Sequence, residues 1–179
     1  MKNISIIIRT LNEQQFLPKL LRSIEKQDFA GNIEVIIVDS GSTDDTLSIA
    51  KKFHAKIFHI KKENFSFGGS LNLGCLKAKN DILVFVSGHC IPVNNKWLKS
   101  LVKNINKVTP YVYGQQIGNH LNFFSETQIF KKYFPDKKSA AIPYYINNAN
   151  SALLRSVWKK YKFDENLTGL EDLDVANRI

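Results

Sequence analysis

The chain has 179 residues, 44% of them apolar, a length that bounds one α/β domain with a sizeable core, or a domain with part of another. That composition excludes a disordered chain, no apolar run approaches a membrane span, and Cys75 and Cys90 lack zinc-type spacing and suit a reducing cytoplasm. The formal charge of +9 is nearly all lysine, spread as pairs such as Lys51-Lys52 and Lys131-Lys132; with arginine scarce it reads as a solvated surface with some attraction for anionic substrates or membranes, not as a nucleic-acid footprint.

Residues 4–9 read as a first strand leading into Thr10-Leu11-Asn12-Glu13. A helix follows, with Phe16, Leu17, Leu20, Leu21 and Ile24 on one face and Pro18 in its first turn. Residues 35–38 form an apolar run that reads as a strand buried on both faces. Directly after it come Asp39, Ser40, Gly41, Ser42, Thr43, Asp44 and Asp45, then a helix to about Phe53. Carboxylates and hydroxyls at the carboxyl end of such a strand suit a polar, hydroxyl-rich ligand. A helix cap at Ser42 or Thr43 explains part of the cluster but leaves Asp39, ahead of the turn, unexplained.

A third strand is expected over residues 56–60. The pair Gly68-Gly69 either lets backbone approach a ligand or makes the turn before a helix over residues 71–78. Residues 82–86 read as a fourth buried strand, and Ser87-Gly88-His89 follows at the same sheet edge as Asp39. Residues 95–108 have an amphipathic helical pattern, with Trp97, Leu98, Leu101, Val102 and Ile105 on one side and lysines on the other. Strand pattern returns around residues 111–118, residues 123–134 suggest a short aromatic helix with flanks reaching Lys138, and residues 147–154 suggest another strand. A helical turn near Trp158 and a helix opening at Thr168 complete the chain. This alternation predicts an α/β fold with a mostly parallel, Rossmann-like sheet and helices on both faces.

The motifs Thr10-Leu11-Asn12-Glu13, Asp39-Ser40-Gly41-Ser42-Thr43-Asp44, Gly68-Gly69-Ser70-Leu71-Asn72-Leu73-Gly74, Ser87-Gly88-His89, Asn147-Asn148-Ala149-Asn150-Ser151 and Glu171-Asp172, in this order, resemble the family-2 inverting glycosyltransferases of the GT-A fold, loosely the rhamnosyltransferase-type members. The resemblance implies a UDP- or dTDP-sugar donor and a glycan or lipid-linked hydroxyl acceptor, in cell-surface polysaccharide or glycolipid synthesis. It also implies a cytoplasmic setting with possible peripheral membrane contact. Thr10, Asn12, Glu13, Asp39, Ser40, Gly41, Ser42, Asp44, Gly69 and Asn72 would line the nucleotide side, although a helix-surface role suits Asn72 better. Residues 1–118 would be the nucleotide-sugar half, and residues 119–179 an acceptor half that the chain leaves incomplete.

The sequence departs from the family where two aspartates usually hold a divalent metal, Mn or Mg, on the diphosphate. Ser87 and His89 stand there instead. Metal held through His89, direct contact of His89 with phosphate, and a degenerate, nucleotide-binding domain without turnover all stay open. Glu171-Asp172 matches the place of the family's general base, and Asp172 is the expected catalytic carboxylate. Glu171 has capping-box spacing from Thr168. Asn148, Asn150 and Glu171 would line the acceptor side, and Asp174 is expected to face solvent or to pair with Arg178. Nucleotidyltransfer to a sugar phosphate, the other enzyme class with such a pocket, is disfavoured because no glycine-rich, arginine-bearing loop follows the first strand.

Overall fold

The computed structural model describes residues 2–118, 124–134 and 146–179. Its centre is a six-stranded sheet ordered β3-β2-β1-β4-β6-β5, built from β1 (Ile4–Thr10), β2 (Ile33–Asp39), β3 (Lys56–His59), β4 (Ile82–Ser87), β5 (Tyr111–Tyr113) and β6 (Asn150–Leu154). The first four are parallel, while β6 runs antiparallel to both β4 and β5. The predicted α/β class and mostly parallel sheet are what the chain adopts.

Side-chain alternation along the strands divides the core in two. Ile4, Ile6 and Ile8 pack with Ile37, Val84 and Val86 on one face of the sheet. Ile7 packs with Ile36, Val38, Leu83 and Phe85 on the other. Strands covered on both faces need apolar residues at every position, which is why β1 and β4 read as unbroken apolar runs. The first face is covered by α1 (Leu17–Glu25), α2 (Thr46–Lys52) and α4 (Trp97–Leu101). The second is covered by α3 (Phe67–Lys77), α6 (Arg155–Lys160) and α7 (Glu171–Arg178). Helix α1 buries Leu17, Leu20, Leu21 and Ile24 of the predicted stripe, each contributing about 2 kcal/mol, while Phe16 stands at the N-cap position, half-buried. A further helix, α5 (Phe124–Tyr133), falls within the expected aromatic tract; its flank toward Lys138 lies outside the described residues.

Several element bounds differ from expectation for identifiable reasons. The helix expected over residues 95–108 stops at Leu101. Past it the backbone tightens, the Lys103 N–H bonding the Ser100 carbonyl and the Ile105 N–H the Val102 carbonyl, both at 3.4 Å, and Lys2 Nζ donates to the carbonyls of Val102 and Ile105. Val102 and Ile105 remain buried all the same. Helix α3 starts earlier than expected, at Phe67, because Ser66 caps it by accepting the Gly69 N–H at 3.0 Å. The expected caps at Ser42 or Thr43 and at Thr168 are not made: α2 and α7 begin at Thr46 and Glu171 without a side-chain cap. The strand expected over residues 111–118 is limited to Tyr111–Tyr113, and that over residues 147–154 begins at Asn150.

Asn72 is not the helix-surface residue expected; it is 9% exposed and latches α3 to the segment after α6. Its Nδ2 donates to the Phe163 carbonyl and to Glu165 Oε1, both at 2.9 Å. Its Oδ1 accepts from Trp158 Nε1 at 2.9 Å and from the Phe163 N–H at 3.1 Å. A side chain with both ends satisfied in the interior is costly to truncate, because every partner is left unpaired. The Asn72→Ala variant is expected to lose about 3 kcal/mol of stability in urea denaturation, and Asn72→Asp, which cannot donate to the Phe163 carbonyl, should lose a comparable amount.

Candidate active site

Strand order reverses between β1 and β4, and in sheets of this type the ligand crevice lies at the carboxyl ends of the strands on either side of such a point. The register brings Thr10 beside Asp39 and Arg9 beside Ser87 at that rim. Antiparallel pairing of Val86 with Asn150 delivers the start of β6 to the same rim. The Asn148 N–H donates to Asp172 Oδ2 at 3.0 Å, which brings the first turn of α7 there too. Residues far apart in sequence, Asp39, His89 and Asp172, therefore gather along one edge.

Asp39 is fully buried. Its Oδ1 accepts from the Thr10 hydroxyl at 2.9 Å and the Ser42 hydroxyl at 2.5 Å, and its Oδ2 accepts from the Gly41 and Ser42 N–H groups. The acidic turn that capping left unexplained is thus an Asx-type turn folded round this carboxyl group. Ser40 is also occupied internally, its N–H and hydroxyl both donating to the Thr10 carbonyl.

The loop after β1 and the loop after β2 are braced together. Asn12, at φ 56°, donates its N–H to Ser42 Oγ, while its Oδ1 accepts the Thr43 N–H. The Glu13 N–H donates to Thr46 Oγ1 at 2.7 Å, and the Gln14 N–H to Asp44 Oδ2 at 3.1 Å. Asp44 Oδ1 also takes the Thr46 N–H. Such hydrogen bonds to its carboxylate hold Asp44 below the ordinary carboxylate range despite an opposing desolvation cost. Thr10, Asn12, Glu13, Asp39, Ser42 and Asp44 accordingly form one rigid strip.

At the other end of the rim, His89 Nδ1 lies 3.0 Å from Glu13 Oε1. Gly88 permits this approach, since a Cβ there would meet Glu13 Cγ at 2.9 Å. Beside them, burial and the Glu13 charge push the Cys90 thiol up to about 11, so it is no nucleophile at neutral pH. Among the described residues no group of three His, Cys, Asp or Glu side chains gathers as a metal site. Ser87 and His89 offer one hydroxyl and one imidazole, the latter already against a carboxylate. With Glu13 as the one carboxylate beside them, this donor set is poorer in carboxylates than the family's aspartate pair.

The carboxylates of α7 are differently placed. Asp172 receives the Asn148 N–H on Oδ2 and the Leu173 N–H on Oδ1. Asn148 is itself fixed, its Oδ1 accepting from the Tyr111 hydroxyl at 2.6 Å and the Ser151 hydroxyl at 2.8 Å. Burial raises the Tyr111 phenol well above its usual range, and the Asp172 charge adds to the effect. Glu171, 4% exposed, lies 3.6 Å from Arg9 and is not part of a capping box. Burial raises the Glu171 carboxyl, with Asp172 acting in the same direction and Arg9 against it. Asp174 pairs with Arg178 at 3.0 Å, as its spacing predicts.

Two expected site residues serve the scaffold. The Asn150 side chain accepts from Trp97 Nε1 and donates to the Gln115 carbonyl. Gly69 lies inside α3, and the close approach at its neighbour Gly68 is to the Asp164 carbonyl, 2.2 Å from where a Cβ would be. Conversely, Arg9 and Tyr111 belong to the rim network without having been singled out from sequence. The available signal at Arg9 was a charge sharing the parity of buried Ile7 in an apolar strand, which implies a buried partner.

The model of the glycosyl transferase family 2 matches residues 5–160. The O-antigen chain rhamnosyltransferase RfbN of Salmonella typhimurium is 28% identical over 98% of this chain and 60% of its own length. The GalNAc(5)-diNAcBac-PP-undecaprenol beta-1,3-glucosyltransferase of Campylobacter jejuni is 26% identical over 96% of this chain and 58% of its own. The chain thus spans a little over half the length of these relatives. Among solved structures, S. aureus TarS 1-349 in complex with UDP-GlcNAc aligns over 98% of this chain and 52% of that one, with a TM-score of 0.75 and 24% identity. The mannosyltransferase PcManGT from Pyrobaculum calidifontis, in complex with GDP-Man and Mn2+, aligns over 98% and 51%, with a TM-score of 0.74 and 20% identity. At these identities the structures show a shared fold, the expected GT-A one. With its family model covering most of the sequence, the chain belongs to glycosyl transferase family 2.

Proposed function

We propose that this chain carries the catalytic face of a sugar transferase that moves a glycosyl group from a nucleotide-diphosphate sugar to a hydroxyl acceptor with inversion. The observation that carries the reading is the position of Asp172, a carboxylate fixed by the Asn148 N–H at the rim where Thr10 and Asp39 end their strands. In the reaction the acceptor oxygen attacks the anomeric carbon from the face opposite the diphosphate. The bond to the diphosphate oxygen breaks, its electron pair leaves with the nucleotide, and the hydroxyl proton passes to Asp172.

The braced strip from Thr10 to Glu13 and Asp39 to Asp44 would receive the base and ribose. Because the Asp39 carboxyl is occupied by its own turn, its contribution is to hold Ser42 and Gly41 in place; direct contact with a base requires the Ser42 hydroxyl to turn away. Ser87 and His89, beside Glu13, would face the diphosphate, with no step passing through a metal. Asn148 and Glu171 would border the acceptor, and Asn150 would support that side through Trp97. The named activities of the relatives support an acceptor that is a growing glycan or a lipid-linked sugar. The UDP-GlcNAc held by the TarS structure supports a UDP-linked donor, with a dTDP-linked one as the alternative. No helix among the described residues is long and apolar enough to cross a membrane. Peripheral contact with a lipid-linked acceptor is part of this reading.

A second reading, a nucleotide-binding domain without turnover, draws on the replacement of the metal-binding aspartates by Ser87 and His89. Transfer assays separate the two. Asp172→Asn is expected to lower kcat about a thousandfold while nucleoside-diphosphate Kd stays within about twofold; UDP or dTDP binding without transfer or donor hydrolysis by the unsubstituted chain would support the second reading. Nuclear magnetic resonance of the first-formed product should show the anomeric configuration opposite to that of the donor. Ser42→Ala, which removes the Asn12 N–H acceptor and one hydroxyl from the Asp39 carboxyl, should weaken nucleoside-diphosphate binding about fivefold by calorimetry. Replacing manganese with chelator should change that affinity by less than about threefold, given a donor set short of carboxylates.

A further inference from the structure

We propose that Arg9 is a positioning residue for the proton-accepting carboxylate, holding the first turn of α7 against the end of β1 through Glu171. The proposal rests on the reading of Asp172 as the base.

Helix α7 lacks a local device to fix the end that carries Asp172. Leu170, its N-cap position, has a left-handed φ of 64° and offers no side-chain hydrogen bond. A branched-chain residue in that region is strained, so the conformation persists only because surrounding contacts impose it. Those contacts are tertiary. Asn148, locked by Tyr111 and Ser151, reaches the Asp172 carboxylate with its N–H. Arg9 reaches the preceding residue, Glu171, at 3.6 Å.

Arg9 is well suited to this tie. Its guanidinium lies over the Phe67 ring, 5.0 Å from the centroid, and donates to the Phe67 carbonyl at 3.4 Å. Its side chain is only 21% exposed, and that of Glu171 5%. The planar head is thus held on one side by the start of α3, with an edge left toward α7. The next residue along β1 is Thr10, whose hydroxyl bonds Asp39. Two consecutive residues of one strand therefore anchor the turn on the nucleotide side and the helix on the base side, on opposite faces of the sheet. Loss of Arg9 would leave the Glu171 carboxylate buried without its counter-ion. Glu171 would then take up a proton or swing to solvent, and either change displaces Asp172, its neighbour in the chain.

The test compares Arg9→Met, Arg9→Lys, Arg9→Met/Glu171→Gln and Asp172→Asn in transfer assays, with nucleoside-diphosphate Kd by calorimetry and thermal melting for each. Arg9→Met should lower kcat by about thirtyfold, the scale of a misplaced reacting group, with Kd changed less than about threefold. Arg9→Lys keeps the charge but loses the planar stack, and should retain more activity than Arg9→Met while staying below the unsubstituted chain. The double variant, which removes the orphaned carboxylate, should recover at least about fivefold of the Arg9→Met loss. The ionisable groups facing Asp172 are Arg9 from β1, Tyr111 from β5 and Glu171 beside it. Removing the cation favours the protonated Glu171 carboxyl, which Arg9 otherwise opposes, so the acidic limb of kcat/KM should move up by about one pH unit in Arg9→Met and return in the double variant, which lacks that carboxyl. If Arg9→Met does not fold at the assay temperature, Arg9→Lys and the double variant give the reading. Normal kcat and an unmoved acidic limb in the folded Arg9 variants, with Asp172→Asn inactive, would overturn the proposal and leave the base in place. An active Asp172→Asn would instead remove the base reading itself.

Discussion

A guanidinium near the end of the central strand sets the terms for the rest of this structure. Taking Arg9 out of water costs several kcal/mol unless its charge and donors are answered. The answers come from an aromatic face and a carbonyl at the start of α3 and a carboxylate in the first turn of α7. Both helices must therefore reach the same corner of the sheet. The segment joining α6 to α7 then runs close against α3, which accounts for Gly68 beneath the Asp164 carbonyl and for Asn72 gripping both backbone groups of Phe163. The carboxylate pair of α7 arrives at the rim as a consequence of this packing.

On the other face of the sheet the organising group is also buried and polar, but it works locally. The Asp39 carboxyl folds its own turn, and that turn is braced to the loop after β1 through Asn12, Glu13 and Gln14. Loops braced this way need little further ordering, the condition under which the entropic cost of holding a ligand is low. The two halves of the rim thus differ in kind. The Asp39 side is stiffened by short-range hydrogen bonds between neighbouring loops, and the Asp172 side by long-range contacts between separate layers.

The place where the family's paired aspartates would stand shows how one substitution changes what its neighbours do. With Ser87 and His89 there, Glu13 has an imidazole as its partner. A histidine next to a carboxylate can present a fixed ring edge to a phosphate, whereas two aspartates would repel it unless a cation intervened. Family membership alone therefore does not dictate how the leaving group's charge is met in this chain.

The sequence by itself determined the strands of the central sheet, the helix of residues 17–25 with its apolar stripe, the motif order and the rim to which Asp39 and His89 belong. Those features depend on periodicity and turn chemistry, which act between residues a few positions apart. Only the tertiary structure decided that Asn72 is an interior latch, that Lys2 meets the carbonyls just past α4, that Asp39 faces its own turn, and that Arg9 and Tyr111 join the neighbourhood of Asp172. Each of these depends on a partner dozens of residues away or on a choice among several nearby donors. A polar side chain records in the sequence that it needs a partner, but the partner is selected when the layers pack and water is excluded.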